Sequence, residues 1–152
     1  TFPLPGSQLD RFLLRFALGY PNAESERALL TGADRRELIA RAVPVLGDGE
    51  VQALRRAAEQ VHASEALVGY VQALLARSRQ QPGVRVGLSP RAGLALLRAA
   101  RAYALLLGRS HVLPEDVQAL FIAVAGHRLV GEAEAGSGAA LAKAVLHAVP
   151  VD

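Results

Sequence analysis

Residues 87–107 read Gly-Leu-Ser-Pro-Arg-Ala-Gly-Leu-Ala-Leu-Leu-Arg-Ala-Ala-Arg-Ala-Tyr-Ala-Leu-Leu-Leu, and this stretch predicts the central helix of the fold. Ser89 is a preferred N-cap residue and Pro90 suits the first helical position, so the helix begins there. Gly108 stands where a left-handed residue would end the helix, after about Leu107. Apolar side chains on almost every side predict that this helix is the core of a helical bundle. They are Leu94, Leu96, Leu97, Ala100, Tyr103, Ala104 and Leu107.

The first turn of this helix also has the composition of an anion site. Free backbone N–H groups and the positive end of the helix dipole meet at Ser89 and Pro90, and the guanidinium of Arg91 would be a second donor to a phosphate. The alternative is an ordinary helix start with a solvated Arg91, which is the commoner case. Arg98 and Arg101 continue a stripe from Arg91 along the helix, and such a stripe is usually a solvated face.

Capping residues and apolar spacing predict further helices on both sides of the central one. They are a short helix over 7–12, a helix from the Asn22 cap to about Leu30, one or two turns from Asp34 and Glu37 to Pro44, segments opened by Asp48, Ser64 and Pro114, and a last helix over 139–148. One strand is predicted at Leu13–Leu18, an apolar run that ends at Gly19 and Pro21. The predicted fold is therefore all-α, a helical bundle with one short N-terminal strand.

The composition limits the classes of function. The 152 residues are 51% hydrophobic and 20% charged, which is enough apolar material for one folded domain. Cysteine is absent and no apolar run is long enough to cross a membrane, so we expect a soluble, cytoplasmic protein. The net charge of +3 is too small to argue for nucleic-acid binding by itself. The absence of methionine indicates a piece of a longer product.

The sequence contains no recognisable motif for catalysis or metal binding. The four histidines lie in separate segments without the spacing of metal ligands, so no metal site is predicted. No nucleophile motif of a hydrolase occurs, and no Gly-x-x-x-x-Gly-Lys-Ser/Thr loop is present to hold a nucleotide phosphate. If the chain acts on a nucleotide, we expect it to act as an accessory to another domain.

Five short blocks resemble the C-terminal part of MoxR-type AAA+ ATPases and occur in the order of that family. They are Thr1-Phe2-Pro3-Leu4-Pro5 with Gln8-Leu9-Asp10-Arg11-Phe12, then Leu18-Gly19-Tyr20-Pro21, Val61-His62-Ala63-Ser64 through Tyr70, Leu88-Ser89-Pro90-Arg91-Ala92, and Val112-Leu113-Pro114-Glu115-Asp116-Val117. Together they cover residues 1 to about 130. Any one block could arise by chance, whereas five in order are specific.

The resemblance implies a division into two domains and two functional arginines. Residues 1–20 resemble the end of the ATPase core, with a short helix and its last strand, and residues 21–152 the helical lid. Arg91, in its Ser-Pro-Arg-Ala setting, matches the sensor 2 arginine, which contacts the γ-phosphate of ATP in the same subunit. Arg11 matches the arginine finger for the nucleotide of the neighbouring subunit. The implied catalytic residues are Arg91 and Arg11, and the implied nucleotide-binding residues are Ser89, Pro90 and Arg91.

The resemblance also implies cofactors and partners for a full-length protein. ATP and Mg²⁺ would be its cofactors, and none is expected to bind tightly to this chain alone. Because the chain lacks Walker A and Walker B, the resemblance implies that it is inactive by itself. The full-length protein would form a homo-oligomeric ring, taken as a hexamer, that remodels partner proteins in a chaperone-like way, with von Willebrand A-type proteins as clients.

The sequence departs from the family pattern, and one alternative function stays open. Gly6 and Ser7 stand where Glu-Ala is more usual, and Leu113 replaces a Ser or Thr cap, so the helix that follows is expected to start less well satisfied. The tail after Val130 matches none of the family's blocks. The alternative is a stand-alone basic helical module that binds nucleic acid or an acidic protein partner. Salt-dependent DNA binding would favour that module, and nucleotide-dependent assembly would favour the ATPase.

Overall fold

The computed structural model describes residues 5–32, 35–132 and 136–151, and within them it contains eight helices and a two-stranded sheet. The helices are α1 (Gly6–Leu9), α2 (Ala23–Thr31), α3 (Arg35–Ala40), α4 (Asp48–Gln60), α5 (Glu65–Gln80), α6 (Pro90–Leu106), α7 (Pro114–Ala125) and α8 (Gly138–His147). The antiparallel strands are β1 (Val84–Val86) and β2 (Val130–Gly131). The prediction of a helical bundle is confirmed.

The central helix α6 begins and ends where the sequence predicts. Ser89 Oγ accepts a hydrogen bond from the backbone N–H of Ala92 at 3.3 Å, which caps the first turn. At the other end Gly108 has a φ of +73°, and the N–H of Arg109 bonds the carbonyl oxygen of Ala104 at 2.9 Å. This is the Schellman arrangement, which a residue in the left-handed conformation makes possible.

The hydrophobic core lies between α5, α6, α7 and α8. Its largest fully buried side chains include Phe121, Leu74, Leu96 and Val145, each of which contributes about 1.5–3 kcal/mol by leaving water. The buried face of α6 consists mainly of small residues: Ala92, Gly93, Ala95, Leu96, Ala99, Ala100 and Ala104. Small side chains let the neighbouring helices approach α6 closely. A Cβ added at Gly93 would lie 2.8 Å from Leu75 Cδ1.

The sequence correctly placed α6 in the core, but it was wrong about how much of the helix is buried. Leu94 is 60% exposed and Leu107 is 56% exposed. The alanine-rich face already fills the contact with α5 and α7, so these leucines point away from the core. Large exposed apolar side chains also occur throughout residues 12–46. They are Phe12, Leu13, Phe16, Leu18, Tyr20, Leu29, Leu30, Leu38, Ile39, Val43, Val45 and Leu46.

The predicted strand at Leu13–Leu18 is not formed. Residues 14–20 have neither helical nor strand structure, and they run past the end of α7, where Arg15 N–H bonds the carbonyl oxygen of Ala123 at 2.8 Å. One hydrogen bond to a helix end cannot continue as a ladder, because a strand needs a neighbouring strand edge. The described residues offer only β1 and β2, which pair with each other.

The other predicted helices are found, with small shifts at their ends. Asn22 caps α2 and Ser64 caps α5, as expected, with side chains that accept from Ser25 N–H and Leu67 N–H. The last helix, α8, starts one residue early and is capped by Ser137. Asp34, the expected cap of α3, lies outside the described residues, as do residues 133–135 of the expected linker.

The start of α7 has a hydrogen-bond acceptor that was not expected from Leu113, which stands in place of a Ser or Thr cap. The carboxylate of Asp116 accepts from Leu113 N–H at 2.8 Å and forms a bidentate ion pair with Arg109, with N–O distances of 2.5 and 2.7 Å. The hydrogen bond from Arg109 lowers the pKa of Asp116 below its ordinary value. The resulting stability is present above the ordinary carboxyl pKa and is lost as the pH falls through the lowered one.

Replacing Gly138 with alanine is expected to destabilise the bundle. A Cβ at Gly138 would lie 2.1 Å from the carbonyl oxygen of Gly126 and 2.8 Å from that of Leu129, so the backbone would have to move. Overpacking of this kind costs about 1–3 kcal/mol, or roughly 2–12 °C in a domain of this size. Gly49→Ala in the first turn of α4 is the control, because a Cβ there meets nothing within 4 Å. Equal melting temperatures for both variants would contradict the expectation.

Candidate phosphate-contacting site

The residues at the start of α6 have the geometry that an anion site requires. Ser89 is the N-cap, Pro90 is the first helical residue and Arg91 is the second. Arg91 is exposed, and its guanidinium has no hydrogen bond or ion pair with any residue that the structure describes. A 17-residue helix directs the positive end of its dipole and the unbonded backbone N–H of Arg91 at this end. Arg91 is therefore available to an external anion.

The structure brings the second candidate arginine to the same end of the bundle. Ser89 Oγ donates to Asp10 Oδ2 at 3.2 Å, and Asp10 is the residue directly before Arg11. Arg11 lies in the turn after α1 and is also exposed, and its side chain has no hydrogen bond or ion pair with the described residues. The contact between Ser89 and Asp10 therefore joins the segment that carries Arg11 to the helix that carries Arg91.

A buried arginine holds this segment in place. Arg128 follows the end of α7, and its side chain is 4% exposed. Its Nε donates to Asp10 Oδ1 at 3.0 Å, and its two terminal nitrogens donate to four backbone carbonyl oxygens. These acceptors belong to Asp10, Phe12, Leu13 and Val124. A guanidinium with five N–H donors is the one side chain that can satisfy so many acceptors at once.

The neighbouring histidine makes a further contact to the same segment. His127 Nε2 lies 3.2 Å from the carbonyl oxygen of Phe12. Burial lowers the pKa of His127 below its ordinary value, and the nearby charge of Arg128 acts in the same direction. The folded state therefore favours the neutral imidazole of His127 over the protonated one. The stability that the neutral imidazole contributes is present above the ordinary histidine pKa. It is lost as the pH falls through the lowered pKa of His127.

This arrangement can bind an anion. Two exposed guanidinium groups and a helix N-terminus can contact phosphate oxygens and stabilise developing negative charge. The described residues contain no cluster of three His, Cys, Asp or Glu side chains that could hold a metal ion.

Sequence reasoning found Arg91, Arg11 and Ser89 but missed the residues that hold them. Asp10 was noticed only as part of a family block, and Arg128 was not singled out. The available signal is the position of Arg128 in the apolar run from Val124 to Val130, where an arginine needs buried acceptors. The sequence could not show that all of these acceptors except the carbonyl oxygen of Val124 lie more than a hundred residues away along the chain.

A comparison with protein-family models finds a family that matches part of the helical bundle. Residues 76–147 match the family described as the AAA lid domain, which covers α6, α7 and α8 and the end of α5. A solved structure of a candidate ATPase from Cytophaga hutchinsonii is similar over 99% of this chain and 50% of that chain. The TM-score is 0.82 and the sequence identity is 25%. The class of protein is therefore one that carries an AAA lid domain.

The curated relatives narrow the class to one family. The chain is 35% identical over 149 residues to the uncharacterised protein YeaC of Bacillus subtilis, covering 98% of this chain and 47% of YeaC. It is 36% identical over 141 residues to the chaperone MoxR1 of Mycobacterium tuberculosis, covering 86% and 36%. It is 35% identical over 148 residues to the protein MoxR of Paracoccus denitrificans, covering 85% and 44%. The chain is therefore similar over most or nearly all of its length to the MoxR-type AAA+ ATPases, as its sequence blocks predicted.

The matches cover only part of each curated relative. The chain spans less than half the length of each of these curated relatives. No helix among the described residues is long and apolar enough to pass through a membrane.

Proposed function

We propose that the chain supplies the sensor 2 arginine of a MoxR-type AAA+ ATPase, and that Arg91 is this residue. The observation that carries the proposal is an exposed, unpartnered Arg91 in the first turn of the capped helix α6, inside the region that matches the AAA lid family. A guanidinium in this position stabilises the charge that develops on a transferred phosphoryl group. ATP and Mg²⁺ are the cofactors of the full-length protein in this proposal.

Arg11 is the proposed arginine finger. It lies in the turn after α1, in a segment that Arg128 fixes against the bundle, so its side chain starts from a defined backbone position. Residues 1–20 are proposed to be the end of the ATPase core and residues 21–152 the lid. The exposed apolar side chains of residues 12–46 support this division, because a surface of this kind is usually covered by another part of a protein.

The proposed biological role is remodelling of partner proteins by a ring of such subunits in the cytoplasm. One relative is named a chaperone, which supports this role. A homo-oligomeric ring, taken as a hexamer, places each finger at the nucleotide of the next subunit through a head-to-tail interface. Proteins with von Willebrand A-type domains are the proposed clients. ATP-dependent assembly of the full-length protein, followed by analytical ultracentrifugation with and without nucleotide, tests the ring.

The two arginines are proposed to act on the same nucleotide. The resemblance implies that Arg91 acts within its own subunit, whereas the contact between Asp10 and Ser89 favours a shared target for Arg11 and Arg91. If Arg11 reaches the nucleotide of the neighbouring subunit, Arg91 then reaches that same nucleotide.

Mixed assembly of two variants of low activity distinguishes an Arg91 that acts on the nucleotide of its own subunit from one that acts on the nucleotide of the neighbouring subunit. Full-length Arg11→Ala and Arg91→Ala subunits are mixed in equal amounts, and ATP hydrolysis is measured. If both arginines act on the neighbour's nucleotide, every site lacks one of them, so we expect the rate to stay at the level of the separate variants. If Arg91 acts within its own subunit, about a quarter of the sites regain both arginines. A rise of the rate toward that fraction of the wild-type value would contradict a shared nucleotide.

A further inference from the structure

A cavity of about 600 Å³ lies between α4 and α6, away from the Ser89 cap. Arg98 stands seven residues, or nearly two helical turns, beyond Arg91. The sequence places Arg98 on a stripe of α6 that would ordinarily be a solvated face. In the structure Arg98 is exposed, as this expectation has it, and together with Arg101 it lines one side of the cavity. The lining residues are Leu13, Arg55, Ala58, Glu59, Arg98 and Arg101.

The cavity is rich in unbalanced positive charge. Three guanidinium groups and one carboxylate give its lining a net charge of +2. Glu59 forms no ion pair with these arginines in the part of the chain that the structure describes, so its carboxylate does not occupy their donors. The Nε atom of Arg101 is buried and has no hydrogen-bond partner. Because buried N–H donors are nearly always paired, this donor is an unsatisfied polar group in the wall of the cavity.

We propose that this cavity binds a phosphate monoester. Near neutral pH a phosphate monoester carries between about one and a half and two negative charges, which match the net charge of the lining. Its three terminal oxygens can accept the paired N–H donors of guanidinium groups, a geometry that lysine cannot supply. Arg98 and Arg101 are neighbours on one helix face, at i and i+3, and Arg55 approaches from α4.

The size and the apolar part of the cavity indicate an organic group on the phosphate. About 600 Å³ is within the usual range for small-molecule sites and is far more than one phosphate fills. Leu13 and Ala58 provide apolar lining against which the rest of the ester packs. A carboxylate with a single charge would leave the lining positive. The site needs neither Arg91 nor Arg11.

Titration of the 152-residue chain with phenyl phosphate, followed by isothermal calorimetry, tests the site. We expect saturable binding of one ligand per chain. The variants Arg55→Gln, Arg98→Gln and Arg101→Gln each lose a charged donor and are expected to bind about tenfold more weakly. Arg56→Gln is the matched control, because Arg56 is the next residue on α4, carries the same charge and does not line the cavity. We expect its affinity to stay within about twofold of the wild type. Circular dichroism establishes that each variant keeps its helices.

Further titrations identify the source of the phosphate. A phosphoserine heptapeptide that binds more tightly than phenyl phosphate would assign the site to a phosphorylated protein segment, and weaker binding would assign it to a phosphorylated metabolite. Phenol is expected not to bind. The proposal is overturned by an absence of saturable binding, by equal weakening in Arg56→Gln, or by loss of binding in Arg91→Gln alone. Equal affinity for citrate or for single-stranded DNA in the wild type would also overturn it.

Discussion

Replacing Arg91 with alanine in the full-length protein is expected to lower kcat for ATP hydrolysis by about tenfold to a thousandfold, which is roughly 1.4–4 kcal/mol of activation free energy. The reason is that the guanidinium contacts charge that grows on the phosphoryl group as the bond to it breaks. An interaction that strengthens in the transition state lowers kcat when it is lost, and it changes KM for ATP much less. Steady-state kinetics with varied ATP measures both parameters.

The stability of the variant separates this role from a structural one. Arg91 is exposed and bonds to none of the described residues, so its removal should leave the melting temperature of the protein unchanged. Arg85→Ala is the matched control, because Arg85 is also exposed but lies on β1 and not in the first turn of α6. We expect near-normal turnover from it. If Arg91→Ala also keeps near-normal turnover, the Ser-Pro-Arg element is only a helix start.

The fold could be predicted from the sequence wherever local chemistry fixes it. Ser89, Ser64 and Asn22 cap helices as expected, because a side-chain acceptor beside free N–H groups needs only a few neighbouring residues. The end of α6 at Gly108 follows from the same local rule, since glycine enters the left-handed region at little cost. The apolar spacing of α7 correctly placed Phe121 in the core.

The predictions failed where the answer depends on distant parts of the chain. Leu13–Leu18 has the composition of a strand, but strand formation requires a partner edge, and none reaches it. The strands that do form have three and two residues, too few for an alternating pattern to be visible. Arg91 and Arg11 could be proposed from motifs. Their connection through Asp10 could not, because it depends on residues far apart in the sequence.

Replacing Arg128 with alanine is expected to cause the largest loss of stability in this chain. Five hydrogen bonds would be broken, and four backbone carbonyl oxygens and the carboxylate of Asp10 would each lose one donor. Removing one partner of a buried ion pair usually costs about 3–5 kcal/mol. The side chain of Asp10 is 26% exposed and can be partly rehydrated, so we expect a loss of about 2–4 kcal/mol. Urea unfolding of the 152-residue chain measures the free energy.

The loss should begin in the segment that carries Arg11. Hydrogen exchange is expected to rise first at residues 10–15 and much less in α5 and α6, because Arg128 holds the former and not the latter. Arg128→Lys keeps the charge, but a compact ammonium with three donors cannot reach all of the acceptors, so an intermediate loss is expected. Uniform exchange throughout the bundle in Arg128→Ala would contradict a local role. If the segment loosens as expected, the backbone at Arg11 is no longer held against the bundle. The full-length variant should then hydrolyse ATP more slowly, although the proposed arginines Arg11 and Arg91 are both intact.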